Sequence, residues 1–192
     1  DAIADGGNSA TALAIQGITR QKKRIFLISG PGSSDLTGKQ CSPYGFHFTY
    51  STYAEASAVT KALLKQKKDT WFFLTADYAF GHALERDASN FITKAGGKVL
   101  GAVRHPLGAS DLSSFLLQAQ NSKAQVIALA NAGGDTVNSL KQAAEFGIGK
   151  SADQRIAALL MLITDVHSLG LQAAQGIIYA TSFSWTQNQA TR

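Results

Sequence analysis

The 192-residue chain is 45% apolar and 16% charged with a formal charge of +5, the composition of a folded globular protein, which argues against disorder. No window approaches the ~20 apolar residues of a membrane-spanning helix, and a single cysteine, Cys41, excludes an internal disulfide framework and a cysteine zinc site. The positive charge is not a nucleic-acid signature: Lys22, Lys23 and Arg24, then Lys65, Lys67 and Lys68, stand where helices end, a placement the helix dipole favours, and no aromatic residues interleave with them.

In chain order, residues 1–5 read as the tail of a strand and carry neither the basic start nor the apolar core of a signal peptide. Strand-like runs follow at 24–29, 70–76, 98–103, 125–130, 155–163 and 176–183, most of them too uniformly apolar for a sheet with one wet face. Amphipathic helical patterns lie at 9–21, 53–66, 80–95, 111–122, 135–146 and 165–174. Ser9, Asp111 and Asp165 can cap helix starts, while Gly96-Gly97 and Gly147 can stop helices. The alternation predicts an α/β fold of doubly wound parallel sheets with helices on both faces.

The loop after the first long strand, Gly30-Pro31-Gly32-Ser33-Ser34-Asp35-Leu36-Thr37-Gly38-Lys39-Gln40, invites comparison with a phosphate-binding P-loop. It fails on three counts: five residues rather than four separate Gly32 from Gly38, Gln40 stands where a Ser or Thr would ligate magnesium, and Asp35 would face phosphate oxygens. The third glycine of a dinucleotide fingerprint is absent as well. What remains is a strand opening into a loop of small hydroxyl residues and free N–H groups, which suits a carboxylate or polar ligand as well as a plain turn.

In an open α/β sheet a ligand sits off the carboxyl ends of the strands, where loops and helix N-termini converge. The residues collected at those ends are Asn8 and Ser9; Gly32, Ser33, Ser34 and Asp35; Asp77, Tyr78 and Phe80; Asn131, Gly133, Gly134 and Asp135; and Thr164 and Asp165. Tyr78 and Phe80 can hold a ring or plug a core edge, and Asp77, Asp135 and Asp165 can be helix caps and nothing more. Burying one aromatic ring is worth about 4–6 kcal/mol, most of the roughly 8 kcal/mol of a micromolar site. The enzymatic signals are weak. His47, His82, His105 and His167 lie on separate elements without metal-ligand spacing, His82 and Glu85 read as a surface pair on one helix face, and no Gly-x-Ser-x-Gly elbow occurs. Neither a cofactor nor a metal is expected.

The segments "IFLISGPGSSDLTGKQCSP", "DTWFFLTADYAFGHALERD", "SDLSSFLLQAQNSKAQVIALANAGGDTVNSLKQAAEFGI" and "ITDVHSLGLQAAQGIIYATSFSW" resemble the type I periplasmic solute-binding proteins of ABC importers. The likeness runs over essentially the whole chain and is strongest to the branched-chain amino-acid-binding branch, within it to members that take up aromatic acids. It implies two α/β lobes: a partial first lobe at 1–50, a nearly complete second at 51–182, and a segment at 183–192 crossing back toward the first. Residues 46–50 and 183–185 would cross between them.

By the same resemblance Asn8 and Ser9 meet the ligand carboxylate, Ser33 and Ser34 donate N–H and hydroxyl groups to it, and Phe80, with Tyr78 beside it, packs over the ligand. Ala132 and Gly133 stand where amino-acid binders often place a tyrosine, and 160–164 is apolar where an acidic residue would meet an α-ammonium. Both departures favour a neutral aromatic or aliphatic carboxylate over an amino acid. The implied partners are a small molecule, an aromatic carboxylate or alternatively a branched-chain amino acid, and an ABC permease, for a monomer working in the periplasm without membrane insertion, without nucleic acid and without catalysis. A sensor domain of the same fold and an unrelated α/β enzyme are the rival readings.

Overall fold

The computed structural model describes residues 1–149, 151 and 153–191. Its strands are β1 (Ala2–Ala4), β2 (Ile25–Ile28), β3 (Gly45–His47), β4 (Thr70–Ala76), β5 (Lys98–His105), β6 (Val126–Ala130), β7 (Arg155–Ala158) and β8 (Ile178–Tyr179). Its helices are α1 (Ser9–Lys22), α2 (Thr52–Lys65), α3 (Ala79–Lys94), α4 (Ser113–Asn121), α5 (Gly134–Glu145), α6 (Ile163–Leu169) and α7 (Leu171–Ala174). The strands form two sheets, ordered β1-β2-β3 and β5-β4-β6-β7-β8, and the pairings are parallel.

At its centre, β4 and β6, the second sheet is buried on both faces because these strands alternate side chains between two cores. Trp71, Phe73, Val126 and Ala128 point toward α2 and α3, where they meet Val59, Leu63, Leu84 and Ile92; Leu74, Ile127 and Leu129 point toward α4 and α5 and meet Leu112, Leu116 and Leu140. The chain leaves β4 toward β5 on one side and leaves β6 toward β7 on the other. The carboxyl ends of β4 and β6 therefore flank the point where the winding reverses, the place where open α/β sheets leave a crevice. The first sheet is covered differently. Phe26 and Ile28 pack with Ala12 of α1 and with Leu36, while Ile25, Leu27, Phe46 and Phe48 on the other face remain exposed.

Three expectations need correction. The run 155–163 is a strand only as far as Ala158; Leu159, Leu160 and Met161 stay buried, and the Leu159 N–H still donates to the Leu129 carbonyl and the Met161 N–H to that of Ala180, both at 3.2 Å, but the regular ladder has ended. The run 176–183 likewise shrinks to Ile178–Tyr179, and Phe183 and Trp185 are exposed in non-strand backbone. The helix at 165–174 is two helices, because Gly170 takes φ 90°, a left-handed value no helix interior accommodates. Residues 45–47, which overlap the start of the stretch 46–50, form β3 and pair with β2. Arg192, the last residue of the expected returning segment, lies outside the described residues.

Candidate functional site

A cleft lies where the two sheets' carboxyl ends face each other. Gly7, Asn8, Ser9, Gly30, Pro31 and Gly32 line it from the first sheet, Tyr78, Phe80 and Ala132 from the second, and Tyr50 from the connecting segment.

The first wall is built by backbone geometry. Asp5, Gly6 and Gly7 all take positive φ after β1, turning the chain so that Asn8 caps α1 by accepting from the Thr11 N–H at 3.1 Å. Ser9 is thus the first helical residue, not the cap. It is buried, and its hydroxyl oxygen accepts from the Ser33 N–H at 3.1 Å, tying the two loops of this wall together. Ser33 is fully buried, and its own hydroxyl accepts from the Asp35 N–H at 3.3 Å. The neighbouring loop is pinned from two sides: His47 Nε2 lies 2.7 Å from the Pro31 carbonyl oxygen, and the Thr52 N–H donates to the Gly32 carbonyl at 2.8 Å. Gly32 is required by close approach, since a Cβ there would lie 2.5 Å from the Tyr50 ring and 3.2 Å from that of Phe80. The first N–H groups of α1 lack intrahelical partners and point the positive end of the helix dipole at this wall, an arrangement suited to an anion.

The second wall is aromatic. α3 begins hard against the ends of β4 and β6: a Cβ at Gly81 would lie 2.1 Å from the Ala76 carbonyl oxygen, so only glycine lets the helix start there. That docking sets Phe80 between two tyrosines, with ring centroids 6.4 Å away to Tyr50, edge to face, and 6.0 Å to Tyr78. Burial, then Tyr50 and Asp135, push the Tyr78 phenol up to about 12; burial, then Glu55 and Asp165, raise that of Tyr50. Both phenols stay protonated at neutral pH and can donate hydrogen bonds. Glu55, one turn into α2, is only 4% exposed, and burial pushes its carboxyl up to about 7.

The other sequence-predicted residues are engaged elsewhere. Ser34 is bound into a polar network with Thr52, Arg86 and Asp87 and does not line the cleft. Asp77 is exposed and pairs with His82 Nε2 at 2.7 Å; Glu85, expected to pair with His82, instead accepts from the Thr75 hydroxyl at 2.6 Å and lies 3.6 Å from Arg104. Asn131 is fully buried: its Nδ2 lies 3.1 Å from both His105 Nε2 and the Ser139 hydroxyl, and its Oδ1 accepts from Thr136 at 2.8 Å. Gly133 opens α5 with φ 57°. Thr164 is exposed. Asp165 accepts from the Leu162 N–H at 2.8 Å, which makes Leu162 the residue at the cap position, yet its charge still acts on Tyr50. Sequence reasoning missed Tyr50, whose signal was an aromatic residue directly before Ser51, the N-cap of α2. A larger groove of about 980 Å³ runs between α5 and the α6–α7 pair, but none of the predicted residues lines it.

Two parallel α/β units whose strand ends face one neutral, aromatic-walled cleft define a solute-binding class of protein. The chain matches the periplasmic binding protein family over residues 1–192 and belongs to it. It is 54% identical to a periplasmic binding protein of Burkholderia mallei, covering 98% of this chain and 50% of that one with a TM-score of 0.93. It is 38% identical to a branched chain amino acid ABC transporter periplasmic ligand-binding protein of Burkholderia xenovorans LB400, covering 100% of this chain and 51% of that one with a TM-score of 0.83. It is also 26% identical to the Leu/Ile/Val-binding protein homolog 6 of Brucella melitensis, over 93% of this chain and 46% of the relative. The chain thus spans about half the length of these proteins. The family is two-lobed, periplasmic and binds solutes rather than converting them, and no described helix is long and apolar enough to cross a membrane.

Proposed function

We propose that the protein containing this chain captures a small carboxylate, with an aromatic ring, between two lobes and delivers it to an ABC permease. Residues 1–50 belong to the first lobe, 51–182 form the second and 183–192 lead back, and the protein works as a monomer. The observation that carries the reading is the lining of the cleft: loop and helix N–H groups on one wall, Tyr50, Tyr78 and Phe80 on the other, and no ionised side chain among the lining residues. A carboxylate at the start of α1, near Asn8 and Ser9, places its ring against the three aromatic side chains. Contacts from both walls are satisfied together only when the lobes are closed on the ligand.

A second reading, a branched-chain amino acid ligand, draws on the Burkholderia xenovorans relative and on Glu55 and Asp165, whose charges reach the Tyr50 phenol and could answer an ammonium group. Thermal melting of the full-length protein with benzoate, 4-hydroxybenzoate, leucine, isoleucine and valine separates the two. A rise in melting temperature with the aromatic acids supports the first reading. A rise with the amino acids alone replaces it by the second, and no rise with any of them removes both.

A further inference from the structure

Two residues beyond Gly32, the cleft loop enters a polar network that joins the two sheets' elements. The Ser34 N–H donates to Thr52 Oγ1 at 3.0 Å, and the Ser34 and Thr52 hydroxyls both donate to Asp87 Oδ2, at 2.6 and 2.7 Å. Arg86 Nε and Nη2 donate to Asp87 Oδ1 at 3.0 and 2.8 Å, Nη2 also to the Ser34 hydroxyl at 2.8 Å, and Nη1 to Asp35 Oδ1 at 2.8 Å. Ser34 and Asp35 follow β2 of the first sheet, whereas Thr52 opens α2 and Arg86 and Asp87 sit on α3, both packed on the second sheet.

We propose that Arg86 and Asp87 form an interlobe clasp that positions the Gly32 loop against Tyr50 and Phe80 and thereby sets how far the cleft opens. They are positioning residues and do not line the cleft. The charges explain why the clasp is directional. Asp87 is 7% exposed and Asp35 15%, and Arg86 is the cation that bridges the two carboxylates. Its planar fork reaches Asp87 through Nε and Nη2 and Asp35 through Nη1, a geometry that a lysine's single ammonium does not reproduce. Without it, a buried carboxylate on α3 faces another carboxylate on the first-sheet loop, and attraction across the junction becomes repulsion. Lys39 also pairs with Asp35, at 3.2 Å, but it is 65% exposed and lies on the same loop, so it joins nothing across the junction.

The proposal rests on the two-lobe reading and not on which ligand is bound, so it is tested without ligand. Spin labels on the exposed Cys41 and on Lys94→Cys at the end of α3 report the distance between the two units in the full-length protein by pulsed dipolar spectroscopy. The expected result is one narrow distance distribution for the parent, a broader and longer one for Arg86→Met, and partial return when Asp35→Asn is added to Arg86→Met, since the repulsion is then relieved. Arg86→Lys should fall between parent and Arg86→Met, and Lys39→Met should match the parent. An unchanged distribution in folded Arg86→Met, or equal broadening by Lys39→Met, overturns the clasp. If Arg86→Met does not fold, Ser34→Ala and Thr52→Val take its place, and parent-like distances in both overturn it equally. A failed ligand panel with an altered distance in Arg86→Met leaves the clasp standing and removes only the ligand assignment.

Discussion

The two sheets make an instructive pair because both contain uniformly apolar strands and only one is buried as such a strand demands. Val126–Ala130 on β6 is buried at every position between helices on both faces, whereas Ile25–Ile28 on β2, just as apolar, buries Phe26 and Ile28 and leaves Ile25 45% and Leu27 41% exposed. The difference lies in the layers and not in the strands: within this chain, which spans about half the length of its relatives, α1 covers one face of the first sheet and no described helix covers the other. A parallel strand's apolarity states how many faces it can bury, and the surrounding elements decide how many it does.

That contrast is open to direct attack. In the 192-residue chain, Trp71→Ala, fully buried in the second sheet, should cost about 3–5 kcal/mol, while Leu27→Ser on the bare face of the first should change stability by less than about 0.5 kcal/mol. Urea titration measures both, and similar losses would mean that the bare face is covered in solution. Gly32→Ala, at the seam between the units, should cost roughly 1–3 kcal/mol because its Cβ must displace the Tyr50 and Phe80 rings. The same change should weaken ligand binding, which calorimetry on the full-length protein would show.

Glu55→Gln sharpens the comparison on the side of α2. The carboxyl's folded value, about 7, lies above its ordinary 4.5, so the parent's stability falls as pH rises from the lower value through the higher. The variant should match the parent below about pH 4.5 and exceed it by up to roughly 3 kcal/mol above pH 7. Parallel pH profiles would show that Glu55 is solvated or paired in solution. A cap effect is expected at Asn8→Ala, which removes the α1 cap and should cost about 1 kcal/mol by urea titration, with Asn8→Ser recovering most of it.

Much of the fold was legible in the residues. β4, α1, α2, α3 and α5 fall within about two residues of their expected limits, because their hydrophobic periods are strong and their ends carry caps or glycines. The misses share a cause. Leu159-Leu160-Met161 is as apolar as any strand and fully in the core, yet a ladder also requires neighbours in register, and past Ala158 the pairing thins to the Leu159 N–H on the Leu129 carbonyl and the Met161 N–H on that of Ala180. Gly45–His47 is too short and too mixed to register as a strand, and it is one only because β2 lies beside it.

At the site, sequence determined the chemistry on offer: hydroxyls and N–H groups after the early strands, and an aromatic pair after β4. It did so because the carboxyl ends of parallel strands and the starts of helices are fixed by local pattern. Only the tertiary structure decided which of these groups share a cleft. It turned Ser34 to Asp87, closed Asn131 into hydrogen bonds with His105, Ser139 and Thr136, and brought Tyr50 from the connecting segment to the ring of Phe80. The physical reason is that a polar side chain's role depends on which unpaired partner lies within about 3 Å, and that distance is set by how elements far apart in the chain pack together.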